Sequence, residues 1–379
     1  MIDIKEKSQC CGCASCVQCC PKKCITFNED NEGFRYPNVD VSKCVNCGLC
    51  EKVCPVINQG ERQHPRKIYA AKNKNESVRL QSSSGGIFTK LAEDVISRGG
   101  VVFGARFDDN WEVKHDFTEN IDGLSVFRGS KYLQSRIEGS YSTAEVFLKQ
   151  GREVLFSGTP CQIAGLKLYL RRKYDNLLAV ACVCHGVPSP LVWREYLKET
   201  SKGQIIQRIN FRDKNISWKN YRVLVQGNDN IVYQPFYENI YMKGFLRDIY
   251  LRPSCFTCPA KSGKSGADIT LGDFWGIENY LQEFDDDKGV SACIAHTDKG
   301  IALLDILDVE KHDVLYEQVL SGNPCIERSV TCNIKYRRQY WKGNNRIESI
   351  YNILEKMKPN FVDKCLDRLK QIIRKLILK

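Results

Sequence analysis

Twenty cysteines stand in this chain of 379 residues, and eight of them repeat on one spacing. The first run is Cys10, Cys13, Cys16 and Cys20, closed by Pro21; the second is Cys44, Cys47, Cys50 and Cys54, closed by Pro55. Each member of the second run lies 34 residues after its counterpart, as Cys44 does after Cys10. Three thiolates on one tight loop suit three irons of a cubane cluster, and in two-cluster arrangements the fourth cysteine of each run ligates the other cluster. The expected ligand sets are therefore Cys10, Cys13, Cys16 with Cys54, and Cys44, Cys47, Cys50 with Cys20. Two zinc sites are the alternative, because zinc also takes four thiolates at CxxC spacing. Zinc modules rarely close three consecutive gaps with a proline. Cys11, Cys19 and Cys24 fall outside the register and read as small buried residues beside the clusters, not ligands.

Residues 1–60 thus read as a two-cluster 4Fe-4S domain of the bacterial ferredoxin type, followed by a polar linker over 61–67. Three further segments carry chemistry. Ser82-Ser83-Ser84-Gly85-Gly86 precedes a helix, where free N–H groups favour a phosphate; a simple N-cap is the plainer reading. Ser157-Gly158-Thr159-Pro160-Cys161-Gln162 places a thiol where a strand ends and a helix begins, which favours thiolate; a buried cysteine is the plainer reading there. Cys255 and Cys258, two residues apart and followed by Pro259, read as a metal or redox pair. The run from Asp268 to Gly276 then presents Asp273 and Trp275 at the end of a strand, with Trp275 also readable as core.

Hydrophobic residues make up 42% of the chain, enough for a real core and too many for wholesale disorder. No apolar run approaches a membrane span, and the first ten residues lack the apolar stretch of a signal peptide. A cytoplasmic chain is expected, in which thiols bind metal more readily than they form disulfides. The formal charge of +11 alone would suggest nucleic acid or an anionic surface. Two clusters at about −2 each bring it to about +7. That remainder suits an acidic redox partner such as a small ferredoxin, and nucleic acid is not expected.

Alternating apolar runs and amphipathic stretches predict strands at 68–71, 101–107, 153–156 and 177–184, and helices at 86–98, 162–172 and 190–202. The fold class expected is α+β, a ferredoxin-type domain followed by an α/β core with a mixed, largely parallel sheet over residues 68–330. Stretches 205–211 and 221–226 read as antiparallel additions. Residues 331–379 read as a basic helical tail. Within it Val362, Leu366, Leu369, Ile373 and Leu376 recur at helical spacing among lysines and arginines, which fits packing on the core, a second subunit, or peripheral contact with an anionic membrane.

The segments SSSGGIFTKLAEDVISRGGVVFGARFD, GSKYLQS, LFSGTPCQIAGLK, CHGVPSP and DITLGDFWG, in this order, resemble the family of coenzyme F420 hydrogenase/dehydrogenase beta subunits over about residues 68–290. The resemblance implies an FAD-containing core with iron–sulfur ligands, moving electrons between a one-electron carrier and a two-electron substrate. Ser83, Ser84, Gly85 and Gly86, with Ser157, Gly158 and Thr159, become the expected FAD-binding residues. Lys131, Tyr132 and Asp273 become the candidates for chemistry at the flavin. A third 4Fe-4S cluster is expected on Cys161, Cys184, Cys255 and Cys258, because Cys161 and Cys184 follow strands at the carboxyl edge of the sheet; Cys182 is the rival for one position. The function expected is an oxidoreductase carrying electrons from reduced ferredoxin to an organic acceptor, in a family whose bacterial members often accompany surface-polysaccharide genes. Turnover of F420 itself, and a non-catalytic electron-transfer role within a larger complex, are the alternatives.

Overall fold

The computed structural model describes residues 1–228, 231–343 and 346–356. In the N-terminal part, strands β1 (Ile25–Glu29) and β2 (Arg35–Val39) form an antiparallel hairpin between the two cysteine runs. Gly12 and Gly48, both at positive φ, turn the chain inside each run, and the short helix Ser15–Cys19 follows the first. Ile2, Ile25, Cys16, Cys24 and Cys50 make a small core of their own.

The core is built on strands β3 (Lys67–Lys72), β4 (Val101–Phe107), β5 (Val113–Thr118), β6 (Val154–Gly158), β7 (Leu177–Cys182), β8 (Arg208–Asp213), β9 (Arg222–Gln226), β10 (Ile231–Pro235), β11 (Ile269–Asp273), β12 (Ser291–Ala295) and β13 (Glu310–Asp313). Eight of them form one sheet in the order β13-β3-β12-β11-β7-β6-β4-β5. The four central strands, β11, β7, β6 and β4, run parallel, and the flanking pairings are antiparallel. Central strands covered on both faces read as unbroken apolar runs, which is why Leu177–Ala181 is buried throughout. The mixed, largely parallel sheet is therefore as expected. Strands β8 and β9 do not extend it: with β10 they make a separate three-stranded sheet, because β9 pairs on both sides with those two neighbours.

Helices Ile87–Ser97 and Pro160–Leu170 cover opposite faces, in separate apolar clusters around Val102 and Phe103, which alternate along β4. The polar stretch 61–67 is not a free linker. Gln63 N–H donates to Gly263 O at 3.4 Å, Arg66 N–H to Ala295 O at 2.9 Å, and Arg62 pairs with Glu327 at 3.1 Å. Nor do residues 331–356 stand apart as a tail. Helices Ile334–Lys342 and Arg346–Lys356 bury Tyr340, Ile347, Ile350 and Ile353 in one cluster with Trp193, Tyr196, Tyr241 and Tyr250. Val362, Leu366, Leu369, Ile373 and Leu376 lie outside the described residues. Among the described residues, no helix is long and apolar enough to cross a membrane.

Candidate iron–sulfur and dinucleotide site

The eight repeated cysteines divide between two small cavities. One is lined by Cys10, Cys13, Cys16 and Cys54 together with Cys11, Ile2, Ile4 and Phe27. The other is lined by Cys20, Cys44, Cys47 and Cys50 together with Cys24, Val45 and Ile25. Each grouping takes three thiols from one run and the fourth from the other. Among the described residues, no three or more His, Cys, Asp or Glu side chains converge on a point that could hold one metal ion. The thiols of each set line one small shared space, which fits a many-atom cluster. Burial, reinforced by Cys13, Cys10 and Cys54, pushes the Cys16 thiol far up, and Tyr36 Oη, beside Cys10, is buried without a hydrogen-bond partner. Crowded protonated thiols and an orphaned hydroxyl fit a cationic, sulfide-bearing group that replaces the protons and accepts that bond.

The first set faces the core and the second faces out. Ser15 Oγ–H donates to Gly165 O at 2.9 Å, and Gln134 Nε2 donates to Cys11 O at 3.0 Å. Gly165, on the helix Pro160–Leu170, permits this approach: a Cβ there would lie 2.9 Å from Cys13 Cβ and 3.0 Å from its sulfur. Gly165→Ala is expected to displace the Cys13 loop, costing about 1–3 kcal/mol by overpacking. It should show as a lower melting temperature and selective iron loss from the inner set. Cys47, in contrast, is exposed, flanked by exposed Val41 and Val45.

Cys161, just after β6, and Cys184, just after β7, lie at the carboxyl edge of the sheet, within electrostatic reach of Cys255 and Cys258. Cys161 acts electrostatically on each of the other three, and Cys255 also feels Cys258. Burial pushes Cys255 up to about 12 and Cys258 up to about 11. Cys161 is held below the ordinary thiol range, first by hydrogen bonding with Cys11 and then with Thr159, whose Oγ1 is 3.3 Å from its sulfur. Val187 N–H donates to Cys255 Sγ at 3.4 Å. Cys182 also feels Cys161, yet it opens onto the large cavity described next, together with Cys184 and Cys325. Cys11, outside the register of the repeat, thus links the inner N-terminal set to the core set.

That cavity has a volume of about 860 Å³, within the range of cofactor pockets. Ser83, Ser84, Gly86, Ser157, Gly158 and Thr159 line it, and so do Lys131, Tyr132 and Asp273. Gly85 does not. Its N–H donates to Ser291 Oγ at 3.0 Å, and a Cβ there would lie 2.3 Å from Ala71 O, so its smallness serves packing of the loop against β3 and β12. Lys214 fixes the same loop from behind, donating to Arg79 O and Ser84 O at 2.8 Å and to Lys288 O at 2.7 Å.

Asp273 is fully engaged. It takes both Nη groups of Arg212 at 3.1 Å and Trp218 Nε1–H at 2.9 Å, an arrangement that holds the carboxylate as an acceptor and leaves it no role as a free base. Tyr132 Oη accepts from Arg212 Nη1 at 3.2 Å. Lys131 Nζ donates to Arg128 O at 3.0 Å and Gly129 O at 3.1 Å. Its remaining exposure is to the cavity, and burial, helped by Arg106, draws it down to about 7. His115 spans Ser157 O and Ser135 Oγ at 3.0 Å, and burial lowers it to about 4, so it is neutral.

The sequence reading missed Arg212, Trp218 and Tyr221. Arg212 is buried, its guanidinium 4.1 Å from the Tyr221 ring centre and 5.0 Å from that of Trp275, and its Nε has no partner. Trp218 stacks on Trp275 at 4.8 Å. An orphaned buried donor and an aromatic platform on one cavity wall fit a flat, anionic dinucleotide such as FAD. The Arg-Asp-Lys run 212–214, at the buried end of β8, was the available signal, since three consecutive charges are seldom buried without a task.

Residues 151–317 match the family described as the carboxyl-terminal part of the coenzyme F420 hydrogenase/dehydrogenase beta subunit, and residues 9–58 match the 4Fe-4S dicluster domain. One of the subunits of the F420H2 dehydrogenase of Methanosarcina mazei is 25% identical over 192 residues, covering 47% of this chain and 53% of that protein. A coenzyme F420-dependent sulfite reductase of Methanocaldococcus jannaschii is 26% identical over 205 residues, covering 52% of this chain and 30% of that protein. This chain therefore spans about half, or less, of the length of these relatives. A chain of the F420-reducing [NiFe] hydrogenase complex from Methanosarcina barkeri shares the fold, with a TM-score of 0.50 and 17% identity over 75% of this chain and 96% of that one.

Proposed function

We propose that this chain, whose N-terminal region is a 4Fe-4S dicluster domain and whose core carries the carboxyl-terminal domain of the coenzyme F420 hydrogenase/dehydrogenase beta subunits, exchanges electrons between a one-electron carrier and an organic two-electron substrate. The observation that carries this reading is the row of thiol groups from the exposed Cys47 set, through the Cys10 set and Cys11, to the Cys161 set at the cavity edge. When bound, three 4Fe-4S clusters would supply one-electron relays and FAD would supply conversion of single electrons into a pair.

The protein's own part is to hold and to insulate. Gly165 and the Ser15–Gly165 bond fix the distance between the inner N-terminal set and the core. Ser83, Ser84 and Gly86, with helix Ile87–Ser97 behind them, would cradle the diphosphate, and Ser157, Gly158 and Thr159 would close the opposite side. Trp275, backed by Trp218, offers a ring face, and Lys131 offers a proton at the cavity wall. Cys184 lines the same cavity, which brings the core thiol set to the edge of the dinucleotide site.

The carrier we propose is a small acidic ferredoxin docking over Cys47. Lys22, Lys23, Lys43 and Lys52 are all exposed around the outer set, whereas Asp40 is taken by Lys43 and Glu51 by the N-terminal amine. Steered association of this kind weakens with ionic strength. Reduction of anaerobically reconstituted protein by reduced ferredoxin should slow at least about tenfold between low and high salt. Charge reversal of Lys22, Lys23 and Lys43 should remove most of that dependence; a rate indifferent to salt would count against this entry face. Turnover with reduced ferredoxin against candidate acceptors, F420 included, tests the catalytic reading. The second reading, a non-catalytic component of a larger assembly, is favoured by a relative named as one subunit among others. It predicts full reduction of the bound flavin with no turnover until a partner is added.

A further inference from the structure

Arg252 is 1% exposed, and no carboxylate forms an ion pair with it among the described residues. Its guanidinium reaches across the boundary between the N-terminal domain and the core. Nε donates to Cys10 O at 2.7 Å, Nη2 to Arg35 O at 2.9 Å, and Nη1 to Gln134 Oε1 at 2.8 Å. The rings of Phe34 and Tyr36 lie 5.3 Å and 4.5 Å from its central carbon. A Cβ on Gly12 would lie 2.9 Å from Nη1, so the first cysteine loop is shaped to the guanidinium. On the core side its own backbone carbonyl accepts the N–H of Cys255 at 2.9 Å, and its N–H donates to Val187 O at 2.9 Å. Glu32, a carboxylate that feels this charge, is claimed by Arg337.

A buried cation with no counter-charge is costly unless anions lie close by. The residues that would bring negative charge here, as cluster thiolates, are cysteines: Arg252 feels Cys10, Cys11 and Cys255. Cys10 and Cys255 belong to two different sets, one in each domain, and Cys11 links the two.

We propose that Arg252 is a potential-setting and positioning residue, whose unpaired guanidinium lies between the Cys10 set and the Cys255 set and favours the reduced state of both over that of the outer, solvent-facing set. This rests on the reading of these sets as cluster sites. Adding an electron to a cluster adds one negative charge, and a fixed positive charge in a poorly screened interior stabilises it. The cations lining the outer set's cavity are exposed Lys22 and the Met1 ammonium, and the latter, unlike Arg252, is paired with a carboxylate, Glu51, at 3.1 Å. Electrons arriving at the surface are thereby drawn inward. Three neutral hydrogen-bond acceptors hold the guanidinium in place, so its charge stays available to the clusters.

The test uses the full reconstituted chain and compares Arg252→Met, Arg252→Lys and the unaltered protein. Iron content is measured first, and each cluster's midpoint is then followed by anaerobic redox titration with electron paramagnetic resonance. Cys47→Ser identifies the outer signal. In Arg252→Met we expect iron to be retained and the inner and core midpoints to fall by at least tenfold in the reduction equilibrium, about 59 mV for one electron, with the outer midpoint unmoved. Arg252→Lys keeps the charge and should stay near the unaltered values. Unmoved inner and core midpoints in Arg252→Met would overturn the proposal. If Arg252→Met cannot hold iron, Arg252→Lys decides: midpoints displaced as far as the expected methionine shift would equally overturn it. Fewer than about twelve irons in the unaltered chain would instead break the cluster reading on which the proposal rests.

Discussion

Cys258→Ser should lower the iron of the reconstituted chain from about twelve per molecule to about eight, leaving the N-terminal pair intact. Cys258 ends a short helical turn, Pro253–Thr257, and its N–H is held by Ser329 Oγ at 3.0 Å. The backbone is therefore fixed, and a serine would occupy the same place without moving its neighbours. What changes is the donor: a hydroxyl does not give up its proton to iron as a thiol does. With one corner missing, Cys161, Cys184 and Cys255 should fail to retain a complete cluster. FAD should remain, because Cys258 does not line the dinucleotide cavity. Flavin reduction by ferredoxin should slow by at least about a hundredfold, since the relay nearest the cavity is gone. Cys182→Ser is the control that decides between Cys182, the last residue of β7, and Cys184, two residues beyond it. Cys184 feels Cys255, whereas Cys182 feels Cys325 in its place, so loss of Cys182 should leave iron content unchanged. Iron retained in Cys258→Ser, or lost in Cys182→Ser, would remove the proposed core ligand set.

The parts of this molecule legible in its sequence are those where chemistry fixes spacing. Cubane ligation demands short, regular gaps, so the Cys10 and Cys44 runs made the 4Fe-4S dicluster domain legible. The parallel strands were legible because burial on both faces forces apolar runs such as Leu177–Ala181. Gly85 was misread for an equally physical reason. A glycine before a helix can serve a ligand's backbone approach or the protein's own packing, and only the contact with Ala71 O tells them apart. Arg212, Trp218 and Trp275 meet across distant segments, and no local pattern reports such a meeting. Arg252 was hidden in the same way. It stands three residues before Cys255 in the sequence, and its contact with Cys10 spans the domain boundary. Cys11 looked like packing until its neighbour proved to be Cys161.

FAD affinity should be greatest below neutral pH and should weaken as pH rises past 7, and Lys131→Met should abolish most of that dependence. Burial lowers Lys131 to about 7 in the free protein, well below the ordinary lysine value of 10.5. An anionic dinucleotide in the cavity Lys131 lines would pull it back up. Binding therefore takes up a proton wherever the free lysine is neutral and the bound one charged. A reaction that consumes protons loses affinity as protons become scarce, by up to about tenfold per pH unit within that window. The free protein should show the opposite trend. The unfolded lysine keeps its proton to about 10.5 and the folded one only to about 7, so the unfolded state binds more protons between those values. Stability without FAD then rises with pH through that interval. Fluorescence titrations of FAD at about pH 6, 7, 8 and 9, paired with denaturant melts of the FAD-free chain, measure both slopes on one sample. A flat FAD profile in the unaltered protein, or an unchanged slope in Lys131→Met, would take Lys131 out of the dinucleotide site. A FAD slope that vanishes in the methionine variant, with a stability slope that falls without vanishing because Lys214 is also drawn down to about 7, would assign the binding proton to Lys131; His115, at about 4, is neutral across the whole range.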